Sequence, residues 1–306
     1  MIVDKDMKIE KSKEYLTGFL QEFGYVDEAR RALQEAFDRF FADTDGVRLF
    51  ADLRAHYEAD PNAKFAFMIE RAKGIAEKAG ISPYTAYLLL LILLSESSKS
   101  VYAAQGLSAE MWRSNMLDLK YWCDHCRLVK GVYGTAWIDW PQRFFAATRF
   151  GFGKLQFETD RLGKRYEKDG VKIEADDKVI FIHIPRTGER LTPKDVDEAC
   201  AEASEFYKQR YGVERVVFAC HSWILYPENK KILSETSNLY SFISRFEIID
   251  VVEDTSYKDL WRLFDMDYRG DADALPQDTS LRRAYAQRVK EHKPLGVALG
   301  VWVYRQ

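Results

Sequence analysis

In this 306-residue sequence the densest polar cluster at the end of a strand-like apolar run is Cys220-His221-Ser222-Trp223. Cys220 or Ser222 could act as a nucleophile with His183 or His221 as its base, which is the pattern of covalent catalysis. Ser222 lacks the Gly-x-Ser-x-Gly surroundings of a nucleophile elbow. A cysteine closing an apolar run commonly serves as a small core residue. His183 stands in the apolar run of residues 179–184, and an imidazole with an ordinary pKa near ~6.5 suits a general base. The same residue could equally be a core histidine bonded to backbone. Glu158 ends another alternating run, where it could orient His183, act as base through a water, or simply be solvated.

A second motif, Cys123-Asp124-His125-Cys126, has the spacing of a redox pair or half a zinc site. Its place late in a helical segment and the lack of a second cysteine pair argue against both, and no metal is expected. Charge excludes another class. The chain carries 45 basic and 48 acidic residues, well mixed, for a net charge of -3. A non-specific nucleic-acid binder would cluster positive charge, so no nucleic-acid partner is expected. The first residues are charged and lack the apolar core of a secretory signal. The most apolar run, residues 86–94, falls short of the roughly 20 residues that span a membrane. With only four cysteines, a soluble protein in the reducing cytoplasm is the expectation.

The elements that must position these groups fall into two parts. Residues 1–130 read as helices. Leu16, Phe19, Leu20 and Phe23 form one stripe ended by Gly24, and Leu33, Phe37, Phe40 and Phe41 form another. Leu49, Leu53 and Tyr57 make a third stripe, stopping before Asp60-Pro61. Ser82-Pro83 and Ser108 mark two further helix starts. The pattern changes near Gly131. Residues 149–158 alternate as one strand, Lys168-Asp169-Gly170 signals a hairpin, and residues 179–184 and 216–219 read as strands buried on both faces. A long helix over 193–211 stands between those two, so a β-α-β crossover should set them parallel. Helices near 237–245, 257–264 and 280–290, and strands at 247–252 and 295–304, complete the order. The expected class is α+β, with an all-helical domain over 1–130 and a mixed-sheet α/β domain over 131–306.

Gly153-Lys154-Leu155-Gln156-Phe157-Glu158, His183-Ile184-Pro185 with Gly188, the Cys220–Trp223 cluster, and Ser237-Asn238 followed by Arg245-Phe246 resemble one bacterial acyltransferase family. That family joins an N-acyltransferase-type helical N-terminal domain to a GNAT-like C-terminal domain. The resemblance implies an acyl-CoA donor, acetyl-CoA in the simplest case, and a small-molecule amine acceptor. It places the thioester where the strands ending at His183 and Cys220 splay apart, near the carboxyl ends where open sheets bind ligands. His183, with Glu158, would be the base. Tyr240, with Tyr226 as its rival, would protonate the leaving thiolate, and Asn238 would bond the pantetheine arm or simply cap its own helix.

The family's glycine-rich phosphate loop is here Arg186-Thr187-Gly188-Glu189-Arg190-Leu191-Thr192-Pro193, with a single glycine. Arg186, Thr187, Gly188 and Arg190 remain the residues expected to meet the donor's phosphates at the helix tip, or else to form an ordinary capping loop. Two other readings stay open. One is a non-catalytic ligand-binding or scaffold protein that kept the fold. The other is an acyl hydrolase or ping-pong transferase using Cys220 or Ser222. Trp112, Trp122, Trp137 and Trp140 are expected to cluster near the domain junction.

Overall fold

The computed structural model describes residues 2–212 and 215–305. The chain divides into two compact units, Met1–Phe150 and Gly151–Gln306.

The first unit is helical: α1 Ile2–Glu22, α2 Asp27–Ala42, α3 Thr44–Ala59, α4 Ile69–Lys78, α5 Pro83–Ala104, α6 Ala109–Lys130 and the short α7 Gln142–Phe145. Helix α5 is apolar nearly all round, and a helix of that kind must be buried. It packs against α1, α2, α3, α4 and α6. By length and composition it could cross a membrane, but Ala86 to Ser95 are all buried inside the unit. Ser108 caps α6 by accepting the Met111 N–H at 3.1 Å, as its type predicts. Ser82 precedes α5 without making a side-chain cap.

The helical unit ends later than the sequence expectation at 130. Residues 131–148 fold onto the helices through Thr85 to the Tyr133 carbonyl (2.8 Å), Tyr102 to that of Phe144 (2.8 Å) and Tyr57 to that of Phe145 (2.8 Å). Nothing in their composition announces this, because the bonds run from distant tyrosines and a threonine to main-chain carbonyls. Helix α4 was also not anticipated.

The mixed part contains β1 Arg149–Phe152, β2 Leu155–Arg161, β3 Tyr166–Lys168, β4 Val171–Ile173, β5 Lys178–His183, α8 Pro193–Tyr211, β6 Val217–Ser222, α9 Glu228–Ile232, α10 Asn238–Ile243, β7 Glu247–Asp254, α11 Trp261–Phe264, α12 Ser280–Lys290 and β8 Leu295–Val303. Six strands form a sheet of order β1-β2-β5-β6-β8-β7, with β3-β4 as a separate hairpin. The stretch 149–158, expected as one strand, is two. Gly153 at φ 52° turns the chain between them, a left-handed conformation that favours glycine. The hairpin turn is as expected, with Asp169 and Gly170 both at positive φ.

Helix α8 is the crossover that makes β5 and β6 parallel. Its Ala199, Cys200, Ala203 and Tyr207 are buried, and the Tyr207 hydroxyl donates to the Phe157 carbonyl of β2 at 3.0 Å. A cluster of Leu162, Tyr166, Val171, Ile173, Val179, Val217, Ala219, Leu299 and Val301 joins the hairpin to the sheet. A further cluster centred on Leu260, Phe264, Leu281 and Tyr285 holds α11 and α12 together.

Candidate active site

Strand β2 brings Glu158 opposite Phe181 of β5, and His183 follows two residues later. Side chains two apart share a sheet face, so Glu158 and His183 lie on a diagonal of one face. His183 Nε2 stands 2.7 Å from Glu158 Oε1. A carboxylate can only accept, so Nε2 carries the proton and the Nδ1 lone pair is the basic one. The Glu158 side chain is 6% exposed and that of His183 is 22% exposed. The pair is therefore a sheltered carboxylate orienting an imidazole that solvent or substrate can reach.

Strands β5 and β6 are in register only at Ile180–Phe218 and Phe181–Ala219. Beyond that point β5 continues to His183, and β6 continues to Ser222 as a partner of β8 alone. The two strands thus form a fork. His221 stands two residues beyond Ala219, on the face that also carries Phe181 and His183. Its side chain is exposed. The sequence places His221 beside Cys220 and Ser222, but only the register reveals which of the three faces His183.

Cys220 points to the other face and is 2% exposed. Burial pushes its thiol up to about 12, so near neutral pH it is a protonated core residue, with no thiolate to begin covalent chemistry. Ser222 accepts the Ile224 N–H at 3.2 Å, capping the turn Trp223–Leu225. Among the described residues no histidine is hydrogen-bonded to it.

Ser237, not Asn238, caps α10, accepting the Tyr240 N–H at 3.1 Å. Asn238 Nδ2 is buried and has no hydrogen-bond partner among the described residues. The half-buried Tyr240 ring lies under Lys230 Nζ, 5.2 Å from the centroid. Tyr226 is committed elsewhere. Its hydroxyl donates to Glu253 and accepts from Arg288 at 3.2 Å. Burial, reinforced by Glu253, pushes it up to about 12.

The loop before α8 is tied down at every turn. Arg186 donates to Asp265 at 2.6 Å, Thr187 Oγ1 accepts the Glu189 N–H at 3.1 Å, and Gly188 takes φ 79°. The exposed Arg190 gives its carbonyl to Lys154 at 3.1 Å. The tip of α8 has Pro193 in its first turn and a full capping box between Thr192 and Asp195. Hydrogen bonds from Thr192 hold the Asp195 carboxyl below the usual range. Lys154 bridges Glu189 at 3.2 Å and Asp195 at 3.3 Å. The positive end of α8 is thus already answered by a carboxylate of its own first turn. The cations of the loop or in contact with it include Arg186, Arg190, Lys154 and Arg245, the last donating to the Pro193 carbonyl at 3.4 Å. Lys154 and Asp265 were not anticipated: the first sits in a turn hidden within an alternating run, and the second lies 79 residues along the chain from Arg186.

In the helical unit, Cys123 and Cys126 are buried, and burial pushes the Cys126 thiol up to about 12. No group of residues suited to a metal occurs among those described. His125 stacks on Trp137 at 5.3 Å and on Trp122 at 5.9 Å, and the two indole rings touch each other at 4.6 Å. Trp140 joins that cluster, but Trp112 does not: it packs on Phe23 and donates to Ser98 at 2.8 Å.

Comparison with known proteins agrees with this architecture. Residues 14–147 match the N-acyltransferase N-terminal domain and residues 150–302 match the GNAT-like C-terminal domain. No match is found among curated proteins. Among solved structures, one of an acyltransferase in complex with decanoyl-CoA and teicoplanin is 19% identical, with a TM-score of 0.69 over 94% of this chain and 86% of the other. An acyltransferase mutant in complex with octanoyl-CoA is 18% identical, with a TM-score of 0.69 over 95% and 88%. An acyltransferase in complex with decanoyl-CoA is 17% identical, with a TM-score of 0.65 over 97% and 99%.

Proposed function

Because the chain belongs to the acyltransferases that pair an N-acyltransferase N-terminal domain with a GNAT-like C-terminal domain, we propose that it moves an acyl group from acyl-CoA to an amine on a small molecule. The observation that carries this reading is the Glu158–His183 pair at the open end of the β5/β6 fork. Acyl-CoA supplies a thioester carbon open to attack by an amine. At the fork, main-chain N–H groups released from strand pairing are the donors available to a carbonyl oxygen. His183, held by Glu158, takes a proton from the incoming ammonium. Tyr240 is the hydroxyl available to protonate the departing sulfur, since that of Tyr226 is engaged by Glu253. Asn238 Nδ2, a buried donor without a partner, suits an amide carbonyl of the pantetheine arm.

The donor's phosphates meet a loop unlike the usual glycine-rich one. Lys154, Arg186 and Arg190 would provide charge there, and Arg186 must first leave Asp265. A cytoplasmic location goes with this reading, supported by four cysteines that are all unpaired. The teicoplanin bound by the solved acyltransferase supports a bulky acceptor.

Isothermal titration with CoA and with acyl-CoA thioesters tests the donor, and thiol release on adding amines tests the transfer. Saturable donor binding with amine-dependent thiol release is expected. No binding up to millimolar concentration would overturn the reading.

A second reading, a ligand-binding scaffold, is favoured by one specific observation: the capped and acidic tip of α8. It requires that His183→Ala leave the protein's cellular role intact.

A further inference from the structure

Transfer from a thioester to an ammonium takes two protons from one nitrogen. The first must leave before the nitrogen lone pair can attack, and the second leaves after the C–N bond has formed. His183 can take the first. Its Nε2–H is held by Glu158 at 2.7 Å, and a neighbouring carboxylate favours the imidazolium. The partner that makes His183 a good first acceptor therefore makes it slower to discard that proton. A second acceptor at the same place would not wait for its release.

Strand β6 supplies one. Ala219 pairs with Phe181, and two residues further along each strand His221 and His183 stand on one face across the fork. Ala219 pairs with Val301 and His221 with Leu299 without a bulge, so the alternation of faces holds to the strand's end. The residues flanking His221 serve the fold. Cys220 is buried in the core, and Ser222 caps the turn that follows at 3.2 Å. His221 is exposed, and its imidazole has no hydrogen-bond or ion-pair partner among the described residues. Across the register from it stand Leu299 on β8 and Asp250 on β7, and Asp250 is paired with Lys164 at 3.2 Å. An imidazole with no carboxylate of its own can take a proton and soon pass it to water.

We propose that His221 is a second catalytic base, taking the proton that the nitrogen still carries after attack. The proposal rests on the acyl-transfer reading above. His183 Nδ1 receives one proton from the ammonium, and the freed lone pair forms the C–N bond as the carbonyl π pair moves onto oxygen. His221 then receives the second proton. The oxygen pair re-forms the carbonyl, the C–S bond breaks with its electrons on sulfur, and Tyr240 protonates the thiolate. His221 returns its proton through solvent to the Tyr240 phenolate, and His183 releases the other to bulk water. One amide, one thiol and one proton are the products.

The test measures kcat and KM for thiol release from acetyl-CoA and octanoyl-CoA, with ethanolamine, benzylamine and glycine methyl ester as acceptors. It compares the full chain with its His221→Ala and His221→Gln variants, which should keep the parent's unfolding midpoint because the side chain is exposed. Water can stand in for part of so exposed a base, so kcat should fall by about a hundredfold, the low end for a positioned base, with the donor's KM unchanged. Added imidazole should recover about tenfold in His221→Ala, since the vacated space is open to solvent. An unchanged kcat in either variant overturns the second base. A loss that imidazole does not recover overturns it too, because a merely structural histidine would behave that way. Under both outcomes the transfer reading stands, since thiol release still depends on the amine. No amine-dependent release from the parent chain with any of the three acceptors overturns the transfer reading itself, and this proposal with it.

Discussion

One carboxylate oxygen, Asp265 Oδ2, lies 2.6 Å from Arg186 and 2.7 Å from Arg282. The loop before α8 is thereby fastened to the segment between α11 and α12, although 79 residues separate Arg186 from Asp265. Asp265→Asn removes the charge that two guanidiniums share. An expected loss of about 1–3 kcal/mol in stability follows from leaving charged donors half-satisfied in a mostly buried site. Thermal unfolding of the variant measures this. Titration with CoA then reads the other consequence: an Arg186 no longer held by Asp265 should bind the donor's phosphates more tightly than in the parent chain.

His183→Ala removes the proposed base. A positioned base contributes about 10²–10⁴-fold to rate. The expected outcome is a fall of that size in kcat/KM for amine-dependent thiol release, with acyl-CoA still bound. Glu158→Gln should act through His183 and cost less, because the glutamine amide can still accept a hydrogen bond from Nε2.

Four buried thiols make stability depend on alkaline pH. Burial pushes Cys126, Cys200 and Cys220 each up to about 12 from a usual value of 9.0, and raises Cys123 further still. Between those values the unfolded chain releases protons that the folded chain retains. Stability is then complete below about pH 9 and falls as pH rises toward 12. Unfolding midpoints recorded across pH 8–11 should decline steadily, and Cys220→Ala should flatten the decline. A thiol reagent at neutral pH should label the native chain slowly and the unfolded chain at once.

Gly134 has no room for a side chain. A Cβ there would overlap the backbone of Tyr84 and Thr85, beside the bond from Thr135 N–H to the Tyr84 carbonyl at 2.9 Å. Gly134→Ala should cost about 1–3 kcal/mol by overpacking. Denaturant titration would register this as a lower midpoint with an unchanged slope. A midpoint equal to the parent's would show that the segment after α6 is not fixed where it lies.

The helices of the first unit were legible because apolar residues recur at the helical period, as in Leu33, Phe37, Phe40 and Phe41, all buried in α2. Strands β5 and β6 were legible as apolar runs, and the long helix between them implied their parallel pairing. Much of the rest was not. Helix α9 is five residues long, too short to show a period. The turn at Gly153 sits inside an alternation that β1 and β2 share. His183 and Glu158 stood out as polar residues at the ends of apolar runs, but their meeting depends on a register that no local signal fixes. Tyr226 resembled Tyr240 as a candidate acid until its bond to Glu253, 27 residues along the chain, came into view. Asp265 gave no sign of a role, since its partners come from two distant segments.

Strand β8 is the last of the sheet in chain order, yet it lies between β6 and β7. Until it arrives, β7 has no neighbour in the sheet and β6 keeps one flank open. A nascent chain can complete its helical half early, but the fork gains its far wall only after residues 295–303 have been made and threaded into a waiting gap. Assembly of that half is consequently late and non-local, the kind that proceeds slowly and leaves strand edges bare to other chains meanwhile. Conditions of expression that slow synthesis or crowd unfinished chains should therefore cost yield through aggregation of the sheet half before they harm the helical one.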